Sequence, residues 1–379
     1  MTGARFSFAR VMAVLVKEFV QIRRDRLTFA MMVGIPILQL TLFGFAINND
    51  PKALPTAVLS NDHSEFSRSF IAALENSAYF RIVKRVESEA EADRLLARGE
   101  VQFLIDVPQD FSRDLARGER PVLLVEADAT DPAATSNALS AVLALNDTAL
   151  DHDLKGPLSR LKNAAPPFEV RLHRRYNPEG ITQFNIVPAL LGVVLTMTMV
   201  IMTALAVTRE RERGTMEALL AMPVRPVEVM LGKIIPYIII GYVQVALILL
   251  AAKYIFGVPM TGSLFLLSAG VLIFIAANLS VGFTFSTIAR NQLQAMQMAF
   301  FYFLPSILLS GFMFPFRGMP QWAQSLGEIL PLTHFLRIVR GVLLKGNGLP
   351  EVAPHVWPLL LFMAVVVAIA LKRYRRTLD

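Results

Sequence analysis

Cysteine is absent from the 379-residue sequence, which excludes disulfides, thiol nucleophiles and Cys-ligated zinc and leaves the redox compartment undecided. Charge is scarce as well: Asp, Glu, Lys and Arg make up 18% of the chain and apolar side chains 54%. That balance lies outside the range of an ordinary soluble domain and points to an integral membrane protein. The short motifs of nucleotide and hydrolytic chemistry are missing too. No G-x-x-x-x-G-K-[ST] loop is present to cradle phosphates, and no H-E-x-x-H, G-x-S-x-G or G-x-G-x-x-G occurs. No catalytic residue, directly bound cofactor or metal site is therefore expected. Asp151-His152-Asp153 comes nearest to a metal cluster, but three consecutive helical residues point in different directions, so it reads as a solvated charged face.

What is present is unevenly distributed. Residues 48–180 hold 16 Lys/Arg against 21 Asp/Glu, a balance of −5, so of the net +7 the remaining chain carries +12. The excess lies beside apolar runs, which indicates an orientation signal and anionic lipid rather than nucleic acid. Val207 to Lys233 reads VTRERERGTMEALLAMPVRPVEVMLGK between two runs that are each long enough to cross a bilayer. One Arg near the centre of a membrane helix costs roughly 2.5 to 3.5 kcal/mol, so this stretch is an aqueous loop. Arg209, Arg211, Arg213, Arg225 and Lys233 put it on the cytoplasmic side by the positive-inside rule.

The expected fold is an α-helical polytopic membrane protein with six transmembrane helices and an α/β extracytoplasmic domain inserted between the first and second spans. The first span is 27–47, about 31 Å of helix against a hydrocarbon core of about 30 Å. The others are 184–207, 234–256, 264–289, 296–314 and 356–371, within a five-helix part at 181–371. Arg290 marks a cytoplasmic turn, and Lys372, Arg373, Arg375 and Arg376 lie in a cytoplasmic tail at 372–379. Both termini then face the cytoplasm. The first run is too long for a signal core and has no small-x-small cleavage site, so it reads as an uncleaved anchor. In residues 1–26, Phe8, Val11, Met12, Leu15, Phe19 and Ile22 form one apolar stripe opposite Arg10, Lys17, Gln21 and Arg24. Such a helix suits the inner headgroup layer, though one packed on a soluble partner has the same periodicity.

Residues 48–180 alternate strand and helix signals. Strands are predicted at Thr56–Leu59, Phe80–Val86, Val101–Val107, Val122–Glu126 and Glu169–His173. Ser88 with Glu91 forms a capping box, Pro108 opens a second helix, and Asp131 caps a third with Pro132 at its first position. Pro166-Pro167 marks a turn into the last strand.

Within the spans, Asn185, Thr196, Thr198, Thr203, Gln244, Asn278, Gln294, Gln297, Tyr302 and Ser306 are the polar groups. Asn185, Thr196, Gln244, Asn278, Gln297, Tyr302 and Ser306 are the candidate path-lining residues, with interhelical bonding as the competing role. No ionisable group sits at a span centre, which speaks against a proton- or sodium-coupled carrier. Pro315–Leu349 carries Phe316, Trp322 and Arg317 without a full span. It is read either as short helices dipping into the outer leaflet or as a surface-lying amphipathic helix.

In the cytoplasmic segment 208–233, Thr208 is positioned to cap a helix whose first turn holds Glu210, and Gly214 and Pro223 interrupt it. Its residues resemble the membrane subunits of type 2 ABC exporters: Glu210-Arg211-x-x-Gly214-Thr215-x-Glu217-x-Leu219, Met222-Pro223-Val224 and Gly232-Lys233. Asn177-Pro178, Leu309-Ser310-Gly311-x-x-Phe314-Pro315, Pro331-x-x-His334-Phe335 and Arg340-Gly341 extend the resemblance over nearly the whole chain. The large inserted domain is similar to that of the bacterial drug-export branch.

The resemblance implies a permease subunit without its own nucleotide site, with ATP used by a partner ATPase subunit. It further implies a second permease subunit, identical or paralogous, in the bacterial inner membrane, and leaves a periplasmic adaptor open. Glu210, Arg211, Arg213, Gly214, Thr215, Glu217, Pro223 and Lys233 would couple the ATPase to the spans, and 315–349 would be a re-entrant segment closing the outer end. A basic loop that merely sets topology remains the alternative for 208–233. For the whole chain the alternatives are an anchored receptor or adhesion protein acting through 48–180, or an ion-coupled carrier.

Overall fold

The computed structural model describes residues 51–162, 166–212 and 226–374. The predicted N-terminal helix, the first span and the last five residues of the tail lie outside them. The first described part is an α/β unit: β1 (Leu54–Ser60), α1 (Glu65–Asn76), β2 (Phe80–Val86), α2 (Glu89–Arg98), β3 (Phe103–Val107), α3 (Phe111–Arg117), β4 (Val122–Asp128), α4 (Pro132–Thr148), a 3-10 turn at Gly156–Lys162 and β5 (Glu169–Arg175). The sheet order is β2-β1-β3-β4-β5, with β3–β4 antiparallel and the other pairs parallel.

That order explains which helix covers which face. The chain steps outward from β1 to β2 and then back across β1 to β3. A single crossover hand therefore sends α1 and α2 to opposite faces. Alternate residues of β1 and β3 divide accordingly: Val58 and Ile105 join Phe70, Leu74, Phe111, Leu115 and Phe168 in the larger core. Ala57, Leu59 and Leu104 meet Leu95 and Leu96 of α2 on the other side. With both faces covered, β1 is buried at six of its seven positions, the signature of an interior parallel strand. The caps follow the sequence: Ser88 accepts from the Glu91 amide, and Asp131 from that of Ala133 with Pro132 in the first turn. The second helix opens at Phe111, three residues beyond Pro108. Asp151-His152-Asp153 lies in the turn after α4, not on a helix.

The second part is helical: α5 (Thr182–Glu212), α6 (Pro226–Tyr254), α7 (Leu264–Ile288), α8 (Gln292–Leu309), α9 (Gln321–Ile329), α10 (Pro331–Arg340), a π turn at Gly341–Lys345 and α11 (Leu349–Tyr374). Among the described residues, four helices are long and apolar enough to cross a membrane: Thr182–Ala206, Pro236–Tyr254, Leu264–Ile288 and Leu349–Ala370. Half or more of the α5 and α7 segments is buried (56% and 50%) against 17% and 11% for α6 and α11. The first pair is thus the centre of the bundle and the second its flank. The predicted fifth span is the shorter helix Gln292–Leu309, in which Gln292, Gln294 and Gln297 lower the apolar content, and the chain turns at Ser310-Gly311 instead of running to 314. The predicted sixth begins earlier, at Leu349, taking in Pro354 and Pro358.

Within 315–349 the two helices differ: α9 leaves Trp322, Leu326 and Ile329 exposed, whereas α10 is buried. Pro331 starts α10, and Leu332, Phe335, Leu336, Ile338 and Val339 are all at most 1% exposed. The Phe335 ring stacks on Phe274 at 4.0 Å. Gly192 of α5 admits α10 closely, since a Cβ there would meet Leu332 Cδ1 at 2.7 Å. Thr208 is a further correction: α5 runs on through Glu212, and the buried Thr208 hydroxyl donates back to the Ala204 carbonyl (2.7 Å). A Thr that bonds its own preceding turn caps nothing.

Candidate functional site

Two ends of one helix define the region of interest. α5 has 31 residues, about 46 Å at 1.5 Å per residue. Its start is welded to the sheet. Tyr176, at φ 69, turns the chain out of β5, and the fully buried Asn177 accepts from the Ile181 amide (2.9 Å) while its own amide donates to the Ile181 carbonyl (3.0 Å). Asn177-Pro178 is thus the joint between sheet and bundle. Burial pushes the Tyr176 hydroxyl up from 10.0 to about 12. One turn on, Asn185 Nδ2 donates to Asp131 Oδ1 at 3.2 Å.

A second joint forms at the C-terminus of α2, whose last carbonyls have no partner within the helix. The bundle supplies donors: Lys345 Nζ to the Leu96 carbonyl (3.1 Å), Asn347 Nδ2 to that of Ala97 (3.0 Å) and Arg317 Nη2 to that of Gly99 (3.1 Å). Two of these are cations at the negative end of the helix dipole. Lys345 also pairs with Asp128 at 2.5 Å, both side chains 8% exposed, and Asp128 Oδ1 accepts from Thr130 Oγ1 at 2.8 Å.

At the opposite end of α5, the Glu212 carboxylate accepts from the Gln292 amide (2.8 Å) and from Gln292 Nε2 (2.5 Å). These bonds hold its pKa below the ordinary glutamate value, and they set an anion on the N-terminus of α8. Arg290 lies in the turn between α7 and α8, as expected. The backbone of α5 includes Glu210 and Arg211, and that of α6 includes Lys233. Arg213, Gly214, Thr215, Glu217 and Pro223 lie outside the described residues.

The candidate path residues divide. Thr198 Oγ1 donates to Gln244 Oε1 at 3.0 Å, bridging α5 and α6. Thr196, Asn278 and Ser306, all 0% exposed, donate to carbonyls of their own helices (Gly192, Phe274 and Tyr302) at 2.8 to 2.9 Å. Asn185 belongs to the sheet joint. Asn278 Oδ1, Gln297 Oε1 and Tyr302 OH are buried without a hydrogen-bond partner among the described residues, as are Asn185 Oδ1 of α5 and His334 Nδ1 of α10.

Several short strings singled out in the sequence meet around α10. Arg340 Nη1 donates to the Gly311 carbonyl at 3.2 Å, Thr333 Oγ1 to that of Gly327 at 2.6 Å, and His334 Nε2 lies 2.8 Å from the Glu328 carbonyl oxygen. Residues 26–372 match the family described as ABC-2 family transporter protein. The chain belongs to the ABC-2 family. It is 30% identical over the full length of both chains to the probable multidrug ABC transporter permease YbhS of Escherichia coli (strain K12). It is 28% identical to the probable multidrug ABC transporter permease YbhR of the same organism, over 97% of this chain and 99% of that one. It is 31% identical to the inner membrane transport permease YhhJ over 86% of each. As an ABC-2 protein it is a multi-pass membrane permease of an ABC transporter, and its relatives are transporter permeases rather than enzymes. Membership implies an ATPase subunit as partner.

Sequence reasoning missed Lys345, Asn347, Asp128 and the Glu212–Gln292 contact. The Lys345–Asp128 pair spans 217 residues of sequence, and no local periodicity reports on such a contact.

Proposed function

We propose that the chain is the membrane-spanning subunit of an ATP-driven exporter. It moves a hydrophobic or amphipathic, drug- or lipid-like molecule out of the cytoplasm or the inner leaflet. A separate ATPase subunit consumes the ATP, and a second permease subunit completes the path. In this reading the protein sits in the bacterial inner membrane with both termini cytoplasmic, 48–180 outside, and 315–349 as the re-entrant closure of the outer end. The observation that carries it is the continuous helix α5 between the Arg-rich segment and the sheet joint, whose ladder lacks only the donor of Pro188 near its start. A push at its Glu212 end reaches the Asp131–Asn185 contact along one helix, without a hinge loop between. The α5 and α7 centres hold no Asp, Glu, Lys or Arg, which supports an energy source outside the spans.

Glu210 and Arg211 then transmit the motion, together with Arg213, Gly214, Thr215, Glu217, Pro223 and Lys233. Truncating one partner of a desolvated charge contact costs about 2 to 5 kcal/mol. Glu210→Ala or Arg211→Ala should therefore lower ATP-dependent transport by about tenfold or more with unchanged membrane insertion. Normal transport by both variants at equal membrane levels contradicts the assignment.

A further inference from the structure

The joint between sheet and bundle holds a partly open cavity of about 500 Å³, within the roughly 300–1,000 Å³ typical of small-molecule sites. Its charges are unevenly satisfied. Among the acids, Glu328 is held by both Arg337 Nη atoms (3.0 and 2.6 Å), Asp128 by Lys345, and Glu100 lies 3.7 Å from Arg98. Glu351 Oε2 accepts from the Gly348 amide, and Asp131 caps α4. On the cationic side, Arg340 uses Nη1 alone, on the Gly311 carbonyl. Its Nε and Nη2 are buried and unpartnered among the described residues. Arg317 gives Nη2 to the Gly99 carbonyl and forms no ion pair among the described residues.

Nε and Nη2 share one edge of the guanidinium plane, the edge that grips two oxygens of a carboxylate or phosphate side-on. A buried donor without an acceptor is a standing cost that a ligand oxygen removes. Phe316, Leu336, Val352 and Pro350 add apolar wall to the same cavity, more room than a bare inorganic anion needs. We propose that this cavity binds an oxyanion carried on an amphiphile, with the Nε/Nη2 edge of Arg340 gripping two oxygens, Arg317 adding a second positive charge, and the hydrocarbon portion lying on Phe316, Leu336 and Val352. The site depends neither on the direction of transport nor on the ATPase.

The negative charge nearest in kind is informative. Asp131 interacts electrostatically with Arg340 and partly neutralises it, so it competes with an incoming anion. Asn at this position still caps α4, since Asn and Asp are equivalent N-caps, and its carbonyl still accepts from Ala133 and Asn185. Asp131→Asn therefore removes the competitor without removing the cap.

The test is calorimetric titration of the full-length chain in non-ionic detergent with dioctanoyl phosphatidylglycerol, with dioctanoylglycerol as the phosphate-free control, and with inorganic phosphate. Phosphatidylglycerol should bind and dioctanoylglycerol should not. Arg340→Gln should weaken binding at least tenfold, and Asp131→Asn should tighten it severalfold. Arg317→Gln, whose main-chain contact lies at Gly99 and not inside the bundle, gives a second loss-of-charge variant should Arg340→Gln fail to fold. If inorganic phosphate binds with the same variant dependence, a free oxyanion suffices; if it does not, the anion is lipid-borne, and either result upholds the site. The proposal is overturned if neither phosphate compound binds, if dioctanoylglycerol binds as tightly as phosphatidylglycerol, or if the substitutions leave binding unchanged.

Discussion

Lys345 shows what a single side chain does for the assembly of the two parts. It closes the end of α2 through the Leu96 carbonyl and neutralises Asp128 in a place where each is 8% exposed. Breaking a buried pair by removing one partner leaves an uncompensated charge, at about 3 to 5 kcal/mol, whereas removing both charges costs far less. Lys345→Met should lower the thermal unfolding temperature of the purified protein sharply, and Lys345→Met with Asp128→Asn should recover most of the loss. Equal melting of the single and double variants would show that the pair contributes nothing. Residue-level reading of the sequence succeeded where the partner is local, as at Ser88 with Glu91 and Asp131 with Ala133. It failed at Thr208, because a Thr before acidic residues is an N-cap only if a helix begins there, and the apolar run of α5 simply continues.

Among the elements, the strands were legible because alternation and flanking caps are encoded within ten residues or so, and all five predicted strands overlap observed ones. Long apolar helices were legible by length alone. Helix α10 is amphipathic in sequence, with its apolar residues on one face opposite Thr333, His334, Arg337 and Arg340, so a surface helix and a buried one read alike there, and only the packing against α5, α7 and α11 decides between them. Close helix approach is the other property that length does not reveal. A Cβ on Gly282 of α7 would lie 2.6 Å from the Val200 carbonyl oxygen and 2.9 Å from Thr203 Cβ of α5, whereas at Gly270 the nearest atom is a side-chain methyl of Ile338 at 3.2 Å. A backbone atom cannot swing aside as a side chain can, so overpacking at Gly282 forces the two central helices apart. Gly282→Ala should destabilise by about 1 to 3 kcal/mol and reduce transport, and Gly270→Ala should do neither to a comparable extent. Thermal melts and vesicle transport of the two variants side by side decide it, and equal behaviour would refute the packing argument.

At the scale of the whole molecule, the sheet unit and the bundle meet through donors from the bundle placed on the end of one helix of the sheet, plus the Asn177 turn at the head of α5. The arrangement makes the sheet unit an extension of α5 and of the turns flanking α9 and α10, and not a tethered appendage. The contacts at the end of α2 were beyond the sequence, where their partners are more than 200 positions apart. Family membership, by contrast, was visible there, because the order of short strings around Glu210, Gly311 and Arg340 persists along the entire chain. The account rests on force delivered by a partner and carried outward by α5. Its most direct test is uptake of a fluorescent amphipathic dye into inside-out vesicles containing this chain alone or with its ATPase subunit, with ATP or a non-hydrolysable analogue. Uptake is predicted only when both subunits and hydrolysable ATP are present. Uptake by this chain alone, or uptake driven by an ion gradient without ATP, would contradict it.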